Sequence, residues 1–308
     1  MKDLSPEELN RIFELSADVK ANPKKYSQSL AGKTLGMIFQ KSSTRTRVSF
    51  EVGMFQLGGH ALFLSGNDIQ IGRGETIADT ARVLSRMVDI LMARVYGHSI
   101  VEELAQYGSI PVINGLSDFS HPCQAVADYF TLLEKWGDLK GRTIAYVGDG
   151  NNVCHSLLYG AALLGMHITV GAPDGYKPDS GVVDFSHDVA AKTGGSVKIF
   201  TDPREAVKNA DAVYTDVWAS MGQEKEYHER KAVFGPYQVN RQLFSLAKKD
   251  ALFLHCLPAH RGDEVTDEIV DSPNSVVWDE AENRLHCQKA LLLLLATDDH
   301  GASGLSRV

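Results

Sequence analysis

The sequence predicts an α/β protein made of two doubly wound, parallel-sheet domains with a ligand cleft between them. Three observations carry this reading. Short apolar runs of strand length alternate with stretches whose apolar residues recur at helical spacing, the rhythm of a mainly parallel sheet covered by helices on both faces. The 308 residues, 44% of them hydrophobic, suffice for two ordinary cores. The rhythm breaks at the polar, glycine-containing stretch 137–142 (GDLKGR) and then restarts, which divides the chain into 1–137 and 138–286.

The elements follow in order. Ser5-Pro6-Glu7-Glu8 is a helix start, with Ser5 as N-cap, Pro6 in the first turn and Glu8 three residues after the cap. Residues 34–39 form a strand, 40–44 a polar loop, and Val48, Val52 and Phe55 a helix that Gly58-Gly59 ends. The unit recurs with strands at 61–64, 90–93 and 111–115, the last leading through His121-Pro122 into a helix over 123–136. In the second half, strands are expected at 143–147, 168–171, 197–200, 212–215, 251–254 and 275–278. Helices are expected at 155–164 and 290–297, and a long loop over 219–231.

Composition narrows the function. Lys and Arg number 31 against 39 Asp and Glu, a net charge of −8, so no basic surplus is available for a nucleic-acid partner. The four cysteines have no paired spacing and suit a reducing compartment. The first residues are polar and acidic, and the longest apolar run, 290–296, is too short for a bilayer span, so a cytoplasmic protein with no membrane partner is expected.

Ligands of open parallel sheets sit beyond the carboxyl ends of the strands, so the residues just after each strand carry the chemistry. Ser43-Thr44-Arg45-Thr46-Arg47 offers hydroxyls, an arginine fork and helix N-terminal N–H groups to an anion, and equally reads as a capped helix with solvated arginines. His121 opens a helix, where the dipole keeps an imidazole neutral and able to donate to a carbonyl oxygen, and Gln124 could hold an amide; taken alone, His121-Pro122 reads better as a plain helix entry. The loop 148–152 (GDGNN) lacks the third glycine of a dinucleotide-binding turn and favours a small polar ligand. Asp216 ends a strand where it can pair with an ammonium, and His255-Cys256-Leu257-Pro258 ends the next. The adjacent Cys/His pairs 154–155, 255–256 and 286–287 lack zinc-ligand spacing, so no metal is expected.

Taken together, the blocks STRTR (43–47), RVYGH (94–98), HPCQ (121–124), DGNN (149–152), DVWASMGQE (216–224), HCLPAHRGDEV (255–265) and AENR (281–284) resemble the ornithine carbamoyltransferase family, in order and over essentially the whole chain. STRTR and the His-Pro-x-Gln loop are shared with aspartate carbamoyltransferases; SMG and HCLP separate the two sister enzymes. The resemblance implies transfer of the carbamoyl group of carbamoyl phosphate to the side-chain amine of L-ornithine, giving L-citrulline and phosphate in arginine biosynthesis, without a cofactor. It assigns carbamoyl phosphate to Ser43, Thr44, Arg45, Thr46, Gln70, Arg94, His121, Gln124, Cys256, Leu257 and Arg284, with Arg284 closing that site from the end of the second domain. It assigns ornithine to Asn152, Asp216, Ser220 and Met221. Arg94, His121 and Cys256 are the implied catalytic residues. A C-terminal helix, 287–308, is implied to pack back on the first domain, and the assembly to be a homotrimer or a multiple of trimers. Ser42 and the segment 285–288 depart from the family pattern and are expected to touch none of these residues.

Overall fold

A computed structural model describes residues 1–69, 71, 74–219 and 226–297. The chain forms two compact units, 1–127 with 282–308, and 128–281. The divisions fall within two helices, α5 (Pro122–Trp136) and α12 (Val277–Thr297).

The first unit is built on a four-stranded parallel sheet of order β2-β1-β3-β4: β1 (Thr34–Phe39), β2 (His60–Ser65), β3 (Ile90–Arg94) and β4 (Val112–Leu116). Helix α1 (Pro6–Ala21) starts as the sequence predicts, with Ser5 and Glu8 closing a reciprocal capping box. Helices α2 (Thr44–Gln56), α3 (Ile77–Leu84) and α4 (His98–Tyr107) alternate with the strands. The central strands β1 and β3 are buried on both faces, and one apolar core gathers Ile38, Leu91, Ala93, Val95, Leu104 and Val112. Edge strand β2 instead leaves His60, Leu62 and Phe63 exposed.

The second unit carries a five-stranded parallel sheet of order β7-β6-β5-β8-β9. Its strands are β5 (Thr143–Val147), β6 (His167–Gly171), β7 (Ser196–Phe200), β8 (Ala212–Thr215) and β9 (Leu252–Leu254). Between them lie α6 (Asn152–Leu163), α7 (Ser180–Thr193), α8 (Pro203–Val207), α9 (Tyr227–Phe234) and α10 (Arg241–Phe244), and α11 (Asp267–Val270) follows β9. Its core is made by Ala145, Val147, Val213, Phe234, Phe253, Val265 and Val277.

Two expectations fail here. The run 275–278 is no strand: Ser275 makes one isolated bridge to Phe253, and α12 begins at Val277. Its apolar residues imitate a buried strand, but Asp279 and Glu280 follow in the first helical turn, where acidic side chains meet the positive dipole end. The expected loop 219–231 is also cut short, because α9 begins at Tyr227. Residues 220–225, with Ser220 and Met221, lie outside the described residues, as does Gln70.

Candidate functional site

In the first unit, the basic and polar residues expected at the phosphate collect at the carboxyl ends of β1, β3 and β4. Ser43 caps α2, its Oγ accepting from the N–H of Thr46 at 3.2 Å. Arg94 closes β3 and is only 5% exposed. His121 and Gln124, both buried, open α5. Arg284 reaches the same place from α12 with 2% exposure, heading the fully buried side chains by size. Its Nη1 donates to Gln124 Oε1 at 2.5 Å and its Nη2 to Thr46 Oγ1 at 3.2 Å. Arg284 packs with the first unit.

His121 behaves as expected but for a different main reason. Burial first, then the positive charges of Arg284, Arg94 and Arg45, hold it well below the usual imidazole range. A neutral imidazole ringed by three cations can donate to an oxygen while the cations take up negative charge. Arg47, the last residue of STRTR, is used elsewhere: its guanidinium lies 3.8 Å over the Phe63 ring and its Nε donates to Glu51.

In the second unit, Asn151, Asp216 and Cys256 come together at the ends of β5, β8 and β9. Asp216, 5% exposed, accepts from the Cys256 thiol at 3.0 Å through Oδ1 and from Asn151 Nδ2 at 2.8 Å through Oδ2. Burial, and next the charge of Asp216, push the Cys256 thiol well above the usual range, so sulfur is a hydrogen-bond donor here. Asn151, part of the GDGNN loop but not among the residues the sequence assigned to a ligand, contacts Asp216; the assigned Asn152 begins α6. Asn151 caps α6, with Oδ1 accepting from Val153 and Cys154, and that cap aims its amide at Asp216. Gly150 serves packing: a Cβ there would lie 2.2 Å from the backbone of Pro178.

The loop after β9 is held from below. His255 Nδ1 accepts from the N–H of Leu257 at 2.8 Å, so its Nε2 carries the proton and faces Glu264 Oε1 at 3.2 Å. Leu257 has φ 56°, a strained conformation for a branched side chain, directly after Cys256. Glu280 accepts from the N–H of His255 at 3.1 Å and from Tyr214 Oη at 3.3 Å. Burial, and next the neighbouring Asp128, push the Glu280 carboxyl well up. Ligand atoms of Asp216, His255 and Cys256 lie within 4.8 Å of one another, the geometry of a possible metal cluster. Both ring nitrogens of His255 are already engaged, which leaves two ligands where a structural zinc takes four.

Segment 285–288 does touch the site, against expectation. With its amide oxygen turned toward Arg284, as its neighbours require, Gln288 accepts from Arg284 Nη2 at 2.9 Å and Nε at 3.2 Å. The signal was available in sequence only as a residue one helical turn from Arg284.

Two family models together span most of the chain. Residues 1–134 match the family model of the aspartate/ornithine carbamoyltransferase carbamoyl-P binding domain, and 140–295 that of the Asp/Orn binding domain. The chain is 61% identical over 297 residues to an ornithine carbamoyltransferase of Pyrococcus horikoshii, covering 96% of this chain and 94% of that one. It is 60% identical to a protein of Pyrococcus furiosus named as the anabolic ornithine carbamoyltransferase, over the same shares of the two chains, 96% and 94%. The solved ornithine carbamoyltransferase from Pyrococcus furiosus superposes with a TM-score of 0.93 at 59% identity, covering 96% of each chain. In sequence and in fold, the chain belongs to the aspartate/ornithine carbamoyltransferase family.

Proposed function

We propose that this chain is an ornithine carbamoyltransferase, transferring the carbamoyl group of carbamoyl phosphate to the side-chain amine of L-ornithine to give L-citrulline and phosphate. The observation that carries the choice of amine is the buried Asp216 carboxylate, bonded to Cys256 and Asn151 and suited to an ammonium group. The arginines and hydroxyls of the first unit suit the phosphate of the donor. Ser43, Thr44, Arg45, Thr46 and Arg284 bind it, with Gln70 and Gln124. Cys256 and Leu257 complete that ligand's surroundings; Asn152, Ser220 and Met221 join Asp216 at the amino acid.

The chemistry follows from the same residues. Arg45 and Arg94 with neutral His121 polarise the carbamoyl carbonyl and stabilise the oxyanion that forms when the amine nitrogen attacks. The new C–N bond is kept as the C–O bond to phosphate breaks, and the arginines take up the charge of the departing phosphate. Asp216 steadies the ammonium, takes the proton that frees the amine to attack, and keeps its contact with the Cys256 thiol; the second proton of the attacking nitrogen leaves with the departing phosphate. The donor already carries a good leaving group, so the mechanism calls for no cofactor or metal.

We propose a homotrimer or a multiple of trimers. Exposed Phe63 on edge strand β2, with exposed Val48 and Phe55 on neighbouring α2, offers apolar side chains of the kind that subunits cover. Among the described residues no helix is long and apolar enough to cross a membrane. We propose a cytoplasmic enzyme of arginine biosynthesis, in line with the word anabolic in the name of the Pyrococcus furiosus relative. Initial rates with carbamoyl phosphate and ornithine, N-acetylornithine, putrescine or aspartate test the proposal; preference for any amine other than ornithine overturns it.

A further inference from the structure

Helices α2 and α12 approach closely, and the sequence of each explains why. Gly53 of α2 faces Lys289 and Leu285: a Cβ added there would sit 3.3 Å from Lys289 Cγ and 3.8 Å from Leu285 Cδ1. Ser49 lies one turn before Gly53 and Gln56 nearly one turn after it, on the same face. Lys289, 2% exposed, donates from Nζ to Gln56 Oε1 at 2.9 Å and locks one end of the contact. At the other end Gln288, fully buried, donates from its amide to Ser49 Oγ at 2.5 Å. Ser49 Oγ in turn donates to the carbonyl of Arg45 at 2.6 Å.

A continuous chain of hydrogen bonds therefore runs from the Arg284 fork through Gln288 and Ser49 to the backbone of Arg45. Gln288 takes the Nε and Nη2 edge of Arg284, while Nη1 goes to Gln124 and Nη2 also reaches Thr46. We infer that Gln288 is a positioning residue for carbamoyl phosphate binding: its neutral amide fixes the plane of the Arg284 fork and ties it to the backbone of Arg45. This rests on the reading of Arg284 as a phosphate-binding residue.

Neutrality is the point of the amide. Gln288 offers an acceptor to Arg284 and a donor to Ser49 without charge, so the guanidinium stays fully positive. A carboxylate in its place would form an ion pair with Arg284 in a dry site and cancel the charge that a phosphate dianion needs. A thioether of similar shape would strip two guanidinium N–H groups of their acceptor and let the fork turn.

The test compares Gln288→Glu, Gln288→Met and Arg284→Ala by KM for carbamoyl phosphate, Ki for inorganic phosphate and thermal midpoint. For Gln288→Glu, KM and Ki are expected to rise together by about tenfold or more, as befits loss of a charge-assisted contact. Gln288→Met should give a smaller rise in both, and neither variant should change KM for ornithine comparably. A lowered thermal midpoint with unchanged KM and Ki would mark Gln288 as a packing residue and overturn the inference. Phosphate binding unimpaired by Arg284→Ala would instead overturn the underlying reading of Arg284, a distinguishable result. Should a Gln288 variant fail to fold, Ser49→Ala removes the far anchor alone. It should raise both constants modestly, and unchanged constants would count against the clamp.

Discussion

The Cys256 thiol donates to Asp216 Oδ1 at 3.0 Å, and the same carboxylate accepts from Asn151 through its other oxygen. A carboxylate so held is rigid before any ligand arrives, and the thiol beside it is a donor rather than a thiolate.

Cys256 is the partly accessible cysteine; Cys123, Cys154 and Cys287 are buried. Alkylation by iodoacetamide should therefore report Cys256 alone. With the thiol pushed well up, its rate is expected to climb steadily with pH through about 9, beyond where an ordinary thiol of pKa about 8.5 begins to level off. A plateau in the neutral range would show a thiolate and contradict the donor assignment.

Asp216→Asn keeps the shape of the site and removes its charge. Losing a desolvated charge partner costs about 2–5 kcal/mol, so KM for ornithine should rise by well over tenfold. Binding of inorganic phosphate, monitored by calorimetry, should be unaffected. An unchanged ornithine KM would return Asp216 to a structural role.

His121 is held neutral when folded, well below the unfolded value of about 6.5. The unfolded chain thus binds more protons below that pH, and stability should fall as pH drops through 6.5, by up to about 1.4 kcal/mol per unit from this group. Urea denaturation of His121→Gln from pH 7.5 to 5 should show a shallower decline than the parent chain. Parallel curves would mean that the histidine is not held neutral.

Glu280 shows the opposite sign. Its raised carboxyl keeps a proton that the unfolded chain releases above about pH 4.3, so it contributes a loss of stability as pH rises above that value. Glu280→Gln imitates the protonated acid and should remove that slope while keeping the fold. Glu280→Ala leaves the His255 N–H and the Tyr214 hydroxyl without an acceptor, at about 1–3 kcal/mol for each buried group. Thermal midpoints at pH 6 and 9 separate the two variants; a Gln variant as unstable as the Ala variant refutes the protonated form.

Phe55 is 80% exposed on α2. If the apolar face it shares with β2 is a subunit boundary, Phe55→Glu should lower the oligomer mass measured by light scattering and leave a monomer with native circular dichroism. An oligomer of unchanged mass would move the interface elsewhere.

By itself the sequence determined most of the framework. The bounds of β1, β5 and β8 coincide with those expected, and the Ser5–Glu8 cap forms as expected, because strand length, apolar runs and caps are local signals. It also placed Arg94, His121, Asp216 and Cys256 at strand ends or helix starts, where a parallel sheet presents its ligand groups. Tertiary structure alone decided the rest. Val276, Val277 and Trp278 look like a strand until α12 is seen to bury Val277 in the core of the second unit. Arg284 meets Gln124 across 160 positions and Thr46 across 238, and no periodicity encodes such a meeting. Asn151 reaches Asp216 because a helix cap turned its amide there, and Gln288 reaches Ser49 because Gly53 lets two helices close together. Local patterns say what a segment prefers to be; which side chains share a buried hydrogen bond depends on how distant segments pack.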